Sequence, residues 1–226
     1  MRTLFHMPLD PQSRLVRLLL TEKSLPVRLI ETPPWRENAA LAAANPARTV
    51  PVLVDQPPSG GDIAISPAGA IIEYLEEAYR TAPMVPQTAS ARVETRRLLA
   101  WFNDKFEREV NELAPRQRID GRLRGHLRYD LDVYKQGLEA LRWHMDYLSW
   151  LVENRPWLAG ERMSAADLAA AAHLSVSDYL GVVPWADFPM VKEWYARVKC
   201  RPSFRPLLAD RVESLPPASH YDDLDF

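Results

Sequence analysis

Two prolines mark the residues with the clearest chemistry in this chain. Pro51 opens the apolar, β-branched run Val50-Pro51-Val52-Leu53-Val54, which reads as a strand. A proline there gives no N–H to a ladder, so the neighbouring backbone is left open. If the Val50-Pro51 bond is cis, the carbonyl and amide of Val50 can face a ligand. Further on, Ser66 stands where a helix should begin, with Pro67 at the first helical position. A helix opening offers free N–H groups and the positive end of a dipole to an anion. The two features can hold an extended peptide by its backbone at one end and by a carboxylate at the other. The same residues also make an ordinary hairpin and a capped helix, and by themselves they favour that plainer reading.

Other chemistries find little support. The five histidines, His6, His126, His144, His173 and His220, show no paired metal-ligand spacing. There is no phosphate-binding loop and no dinucleotide fingerprint. Net charge is -2, which gives no bulk attraction to nucleic acid or anionic lipid. A single cysteine, Cys200, excludes an intrachain disulfide and fits a reducing compartment. No apolar run is long enough to span a bilayer, and the expected location is cytoplasmic.

The elements that would position Pro51 and Ser66 follow from the pattern. Arg2 to Met7 reads as a strand, Gln12 or Ser13 starts a helix ending near Lys23, and Val27 to Ile30 is a second strand. Strand, helix and strand in that order imply a βαβ unit with a parallel pair. A turn with Trp35 and Arg36 leads to an alanine-rich helix from about Asn38 to Ala44. Val50 to Val54 and Ile63 to Ile65 form a hairpin, and the Ser66 helix closes a first domain over 1–80. Residues 81–90 form a proline-restricted linker.

Residues 91–211 read as all-helical, because no strand pattern appears. Ala91 to about Ala114 is one long helix, Arg116 to Arg128 an irregular basic insert, and Asp130 to Glu153 an aromatic-rich helix. Ala165 to Tyr179 is almost wholly apolar and should be the buried central helix. Ser164 and Asp167 before and within its first turn have the spacing of a capping box, with Met163 and Leu168 as a hydrophobic staple. Met190 to Lys199 and Ser203 to Ala209 are further helices. Residues 212–226 form an acidic, proline-containing tail, which either docks on its own domain or is offered to a partner.

Val-Pro before a hairpin, then Ser66-x-x-Ala-Ile-x-x-Tyr-Leu, resembles the glutathione-binding half of the glutathione S-transferase (GST) family, and Ser164 to Asp167 resembles the cap of its C-terminal domain. The resemblance implies an α/β thioredoxin-like N-terminal domain followed by an all-α C-terminal domain. It assigns Val50, Pro51 and Ser66 to a vestigial glutathione site. A transferase must keep the glutathione thiol ionised, which takes a hydroxyl or thiol donor aimed at the sulfur. In the family that donor is a tyrosine in the first strand, or a serine or cysteine just after it. The matching positions here are Phe5 or His6, Met7, and Asp10 or Pro11, and none has a hydroxyl or thiol. His6 and Ser13 are the fallback donors, with Ser13 better explained as a helix cap. Ile65 stands where the family has an acid or amide that reads the substrate's amino group. Conjugation of glutathione to electrophiles is thus the alternative function, and at most weak glutathione binding is expected.

Four further stretches resemble one branch of the family, the GST-like cell-division proteins of alphaproteobacteria. They are Pro8-Leu9-Asp10-Pro11, Pro34-Trp35, the run from Arg201 to Arg211, and the closing His220-Tyr221-Asp222-Asp223-Leu224-Asp225-Phe226. That resemblance implies a non-catalytic homodimer acting at the division site. Its partner would be filaments of FtsZ, the tubulin-like division protein, which it would curve and bundle. An exposed Trp35-Arg36 pair suits a contact hot spot. His220, Tyr221, Asp222, Asp223 and Asp225 supply charge and an aromatic anchor in the tail. The two-fold contact is expected from the first domain's last helix and the long helix beginning at Ala91.

Overall fold

The computed structural model describes residues 2–33, 35–57, 60–125, 129–213 and 215–224. The chain divides into two compact units, residues 1–84 and 85–226. In the first, β1 (Arg2–His6), α1 (Pro11–Glu22) and β2 (Val27–Glu31) form the expected βαβ unit, with β1 and β2 parallel. After α2 (Ala39–Ala44) come β3 (Val52–Asp55), β4 (Ile63–Ile65) and α3 (Ala68–Ala78). The sheet order is β2-β1-β3-β4, and β3 is antiparallel to both neighbours.

Strand alternation sorts the core. Phe5 pairs with Val52 and packs with Leu41 of α2 on one face. Leu4 pairs with Leu53 on the opposite face, and both are fully buried. The end of α3 is tied down by charge. The buried Lys23 Nζ pairs with Glu76 at 2.8 Å and donates to the carbonyl of Tyr79 at 2.9 Å. Such a contact satisfies a helix-end carbonyl that would otherwise lack a donor. Asp55, at the end of β3, receives the hydroxyls of Tyr74 at 2.8 Å and Tyr79 at 2.5 Å and lies 3.2 Å from Arg2 Nε. Burial pushes its carboxyl up, but these donors and the Arg2 charge outweigh it and hold it below the usual range.

The second unit has no strand among its described residues, only isolated bridges at Trp157–Gly160 and Val212–Leu215. Its helices are α4 (Ala89–Ala100), continuing directly into a π-helical segment (Trp101–Asn111), then α5 (Pro115–Leu123), α6 (Leu131–Asn154), α7 (Ala165–Tyr179), α8 (Pro189–Lys199) and α9 (Arg205–Leu208). The expected single helix from Ala91 therefore starts earlier and changes register halfway. Pairs of residues eight apart along the π segment serve two neighbours. Trp101 and Glu109 bond His144 of α6, while Asn103 and Asn111 bond His173 of α7.

The expected irregular insert is a helix over Pro115–Leu123. Pro115 sits at its first position, and Pro115 and Ile119 are buried against the unit. One glycine, Gly121, costs a helix about 1 kcal/mol, too little to break a turn anchored that way. His126 and Arg128 lie outside the described residues. Every residue of α7 is buried, as its composition predicts. The predicted capping box is present, with the Ser164 amide donating to Asp167 Oδ2 at 2.9 Å. No described helix is long and apolar enough to cross a membrane.

Candidate functional site

The Val50–Pro51 bond is cis, and Pro51 is buried where the chain enters β3. Val50 packs half-buried beside Phe5, Leu41 and Val52. Pairing of Leu53 with Ile65 carries Ser66 to the level of Val52, close to the proline turn. The Ser66–Pro67 bond is also cis. Here the sequence reading needs correction. Ser66 is not the cap and Pro67 is not the first helical residue. Instead α3 starts at Ala68 with Pro67 as its N-cap, and no side chain caps it. A proline has no side-chain acceptor, so the first-turn N–H groups of α3 keep no side-chain partner. The uncapped opening of α3 leaves first-turn N–H groups of the kind that suit a carboxylate.

The thiol-activating end is differently furnished. Phe5, His6 and Met7 are all buried, with His6 on β1 opposite Glu31 of β2. Ser13 does not cap α1, as the sequence suggested. Asp10 does, accepting the Ser13 N–H at 2.7 Å, because a carboxylate one residue before Pro11 matches the helix dipole better than a hydroxyl inside the first turn. The Ser13 hydroxyl is fully buried and accepts the Met7 N–H at 3.3 Å. Arg14, fully buried, donates Nε–H to the Pro8 carbonyl at 2.6 Å and so fixes the loop after β1. Among the described residues no metal-ligand cluster forms.

The partner-contact candidates fall in two places. Trp35 is half-buried in a turn, and Arg36 is exposed, its N–H bonded to the Pro33 carbonyl at 3.0 Å. The tail docks on its own unit. Tyr221 is fully buried, with its hydroxyl donating to the Leu207 carbonyl at 3.2 Å, so it is an internal anchor rather than a surface contact. His220 Nε2 lies 2.9 Å from Asp178 Oδ1. Asp222 and Asp223 are exposed, with Asp222 paired to Arg211 at 2.8 Å. Pro34, Asp225 and Phe226 lie outside the described residues.

Residues 4–83 match the family model of the glutathione S-transferase N-terminal domain, and residues 129–202 match that of the C-terminal domain. The chain belongs to the glutathione S-transferase family. It is 48% identical over 225 residues to FtsZ-localized protein A of Caulobacter vibrioides, covering 100% of this chain and 98% of that protein. The structure of FzlA from C. crescentus superposes with a TM-score of 0.95 at 48% identity, covering 100% of this chain and 99% of that one. A glutathione S-transferase structure from Sinorhizobium meliloti 1021 gives a TM-score of 0.93 at 45% identity, with both chains fully covered.

Within that family's fold, the end of β1 in this chain carries Phe5, His6 and Met7, all buried. Val50, Pro51 and Ser66, the residues expected to hold glutathione, lie near one another where β3 begins and β4 ends. Two other assemblies were not foreseen. One is a run of four rings, exposed at its two ends. Trp143 (51% exposed) stacks on Trp101, Trp101 meets Tyr147, and Tyr147 stacks on Trp150 (53% exposed). Lys105 lies 5.0 Å over Trp143, and Arg155 lies 6.0 Å over Trp150. The spacing of Trp143, Tyr147 and Trp150 along one helix is a readable sequence signal for a common face. The other assembly is the buried Asp178, whose partners come from three other parts of the chain and leave no local trace.

Proposed function

We propose that this protein is a cell-division regulator that binds FtsZ filaments at the division site, without glutathione chemistry. The observation that carries the proposal is full-length identity of 48% to FtsZ-localized protein A, matched at the level of structure by a TM-score of 0.95. Burial of the Ser13 hydroxyl against the Met7 amide supports the non-catalytic half. Trp35, Arg36 and the exposed tail acids, with Asp225, are the proposed contacts. A half-buried aromatic beside an exposed cation suits a polar protein surface, and so, separately, does the acidic edge of the tail.

The working unit in this proposal is a homodimer. Support comes from the rings on α4's π extension and α6, because two tryptophans more than half exposed are costly to leave in water. The same face carries Glu94 and Glu109 beside Arg97 and Lys105, so it can meet its own copy with opposite charges facing. A dimer that engages two filament subunits gains avidity and can bundle or curve filaments with no cofactor. Co-sedimentation with FtsZ polymer tests the proposal. Recovery in the pellet only when polymer is present is expected, and recovery in the supernatant under all conditions overturns it.

A further inference from the structure

We infer that Asp178 and Lys199 are positioning residues for the C-terminal tail. They hold it through His220 as a preformed strap, so a partner meets an ordered acidic edge rather than a loose peptide. The functional half of this inference rests on the tail being a partner contact; the strap itself does not.

The hub is a buried carboxylate. Asp178, near the end of α7, is fully buried and receives Trp185 Nε1–H at 2.8 Å and the Tyr195 hydroxyl at 3.2 Å. Lys199 of α8 is also fully buried, with Nζ 3.7 Å from Asp178 Oδ2. A buried ion pair is stable only when its remaining donors and acceptors are satisfied. The tail completes that set. His220 Nε2 reaches Asp178 Oδ1 at 2.9 Å, and the His220 carbonyl accepts from Lys199 Nζ at 3.4 Å. Lys199 also lies 5.7 Å over the Tyr221 ring. One tail residue thus serves both charges, by its ring and by its backbone.

The residue after the hub fixes the rest of the strap. Tyr179 donates its hydroxyl to the Leu215 carbonyl at 2.7 Å and accepts the Val212 N–H at 3.2 Å. Its own carbonyl accepts the Ala218 N–H at 2.8 Å, and its ring meets Tyr221 edge-on at 5.1 Å. The chain turns at Gly181 (φ +68°), where an added Cβ would meet Ala218 at 3.0 Å. The tail therefore runs closely over the end of α7, where the left-handed backbone favours glycine and a side chain would crowd Ala218. Among the described residues beyond Tyr221, Asp222 and Asp223 are exposed. An acidic edge held in place fits a basic surface on the partner, and binding then loses little chain entropy.

The test uses the full chain. Asp178→Asn keeps volume and cannot alter a partner contact directly, since the side chain is buried. His220→Ala and His220→Gln form a second series, in which the Gln amide can still donate to Asp178. Hydrogen exchange over residues 212–224 and co-sedimentation with FtsZ polymer are measured together. Wild type should protect the Ala218 and Tyr221 amides. Asp178→Asn and His220→Ala should raise their exchange at least tenfold with α6 unchanged, weaken co-sedimentation by roughly tenfold, and His220→Gln should restore most of both. If Asp178→Asn does not fold, the His220 pair decides alone. Unprotected tail amides in wild type, or unchanged protection in His220→Ala, overturn the strap. Loosened amides with undiminished co-sedimentation keep the strap and overturn the tail as the FtsZ contact.

Discussion

The Ser13 hydroxyl faces the Met7 amide at 3.3 Å, and both residues are buried. In this fold the end of the first strand is where a thiol activator would have to work. A hydroxyl that already accepts a main-chain N–H inside the core is not presented to a ligand sulfur. Conjugation of glutathione to a chloronitrobenzene should therefore proceed at the uncatalysed rate, and Ser13→Ala should leave that unchanged. The same substitution should cost about 1–3 kcal/mol of stability, because it strands the Met7 amide. A turnover near ~10 per second that vanished in His6→Ala would show the transferase reading to be right.

Stability should fall as pH drops through the histidine range. Burial, aided by Lys105 and only partly opposed by Glu109, lowers His144 to about 4. Burial and then the Arg116 charge lower His173 to about 3. Both sit below the unfolded value of 6.5. Between these limits the unfolded chain binds more protons than the folded one, so stability is complete above about 6.5 and is lost on the way down. Each ring can contribute up to ~1.4 kcal/mol per pH unit in that window. Urea midpoints measured at pH 7.5 and pH 5 should differ clearly, and His144→Gln should flatten the difference. Equal midpoints in the wild type would mean that the rings are not held neutral.

Asp167 does more than close a capping box. Besides the Ser164 amide, its carboxylate takes the Leu158 N–H at 2.9 Å and the Trp194 indole N–H at 3.0 Å. Asp167→Ala leaves three buried donors without an acceptor, so the loss should be about 3 kcal/mol or more rather than the ~1 kcal/mol of an ordinary cap. Guanidinium denaturation checks this, and a loss under 1 kcal/mol would count against a shared hub.

The contrast between Asp167 and Asp178 explains what was legible in the sequence. The Asp167 cap partner is three residues away, and spacing alone reveals it, as it reveals both ends of α7. The Asp178 partners are Trp185, Tyr195, Lys199 and His220, and no local period links them. The proline turn before β3 is legible because Val50-Pro51 opens an apolar run, whereas the cis bond stands in the sequence only as a condition and Ser66 does not cap α3. The cap of α1 is hard to read because Asp10 and Ser13 are both good cap residues, and what separates them is the Asp10 position just before Pro11 together with the burial of Ser13. Helix α5 was missed because its charge pattern looks like a loop, while its anchors, Pro115 and Ile119, are only two residues.

The exposed rings on the second unit should matter for assembly more than for folding. Trp143 and Trp150 are each about half exposed, so Trp143→Ser with Trp150→Ser should leave the melting temperature of the isolated protomer within a few degrees. If a second copy covers this face, the same pair should shift sedimentation at micromolar concentration from dimer to monomer. A wild type that sediments only as monomer, or a double variant that still dimerises, would remove this face from the interface.

Reversing a charge in the tail and removing the tail should have different consequences, and the difference separates binding from folding. Truncation after Leu215 deletes Tyr221, a fully buried ring, together with the His220 contact to Asp178. Losing a buried aromatic typically costs about 3–5 kcal/mol, so the truncated chain should melt early, and any loss of FtsZ binding in it would be ambiguous. Asp225→Lys removes neither the Tyr221 ring nor the His220 contact and should leave the melt unchanged. On an acidic contact it should nonetheless weaken co-sedimentation with FtsZ polymer, because a lysine there meets the partner's basic groups. Trp35→Ala should weaken it as well, by about 2 kcal/mol or more if the ring is a hot spot. Wild-type co-sedimentation by both variants, each with a normal melt, would move the contact elsewhere on the protein while leaving its fold and family untouched.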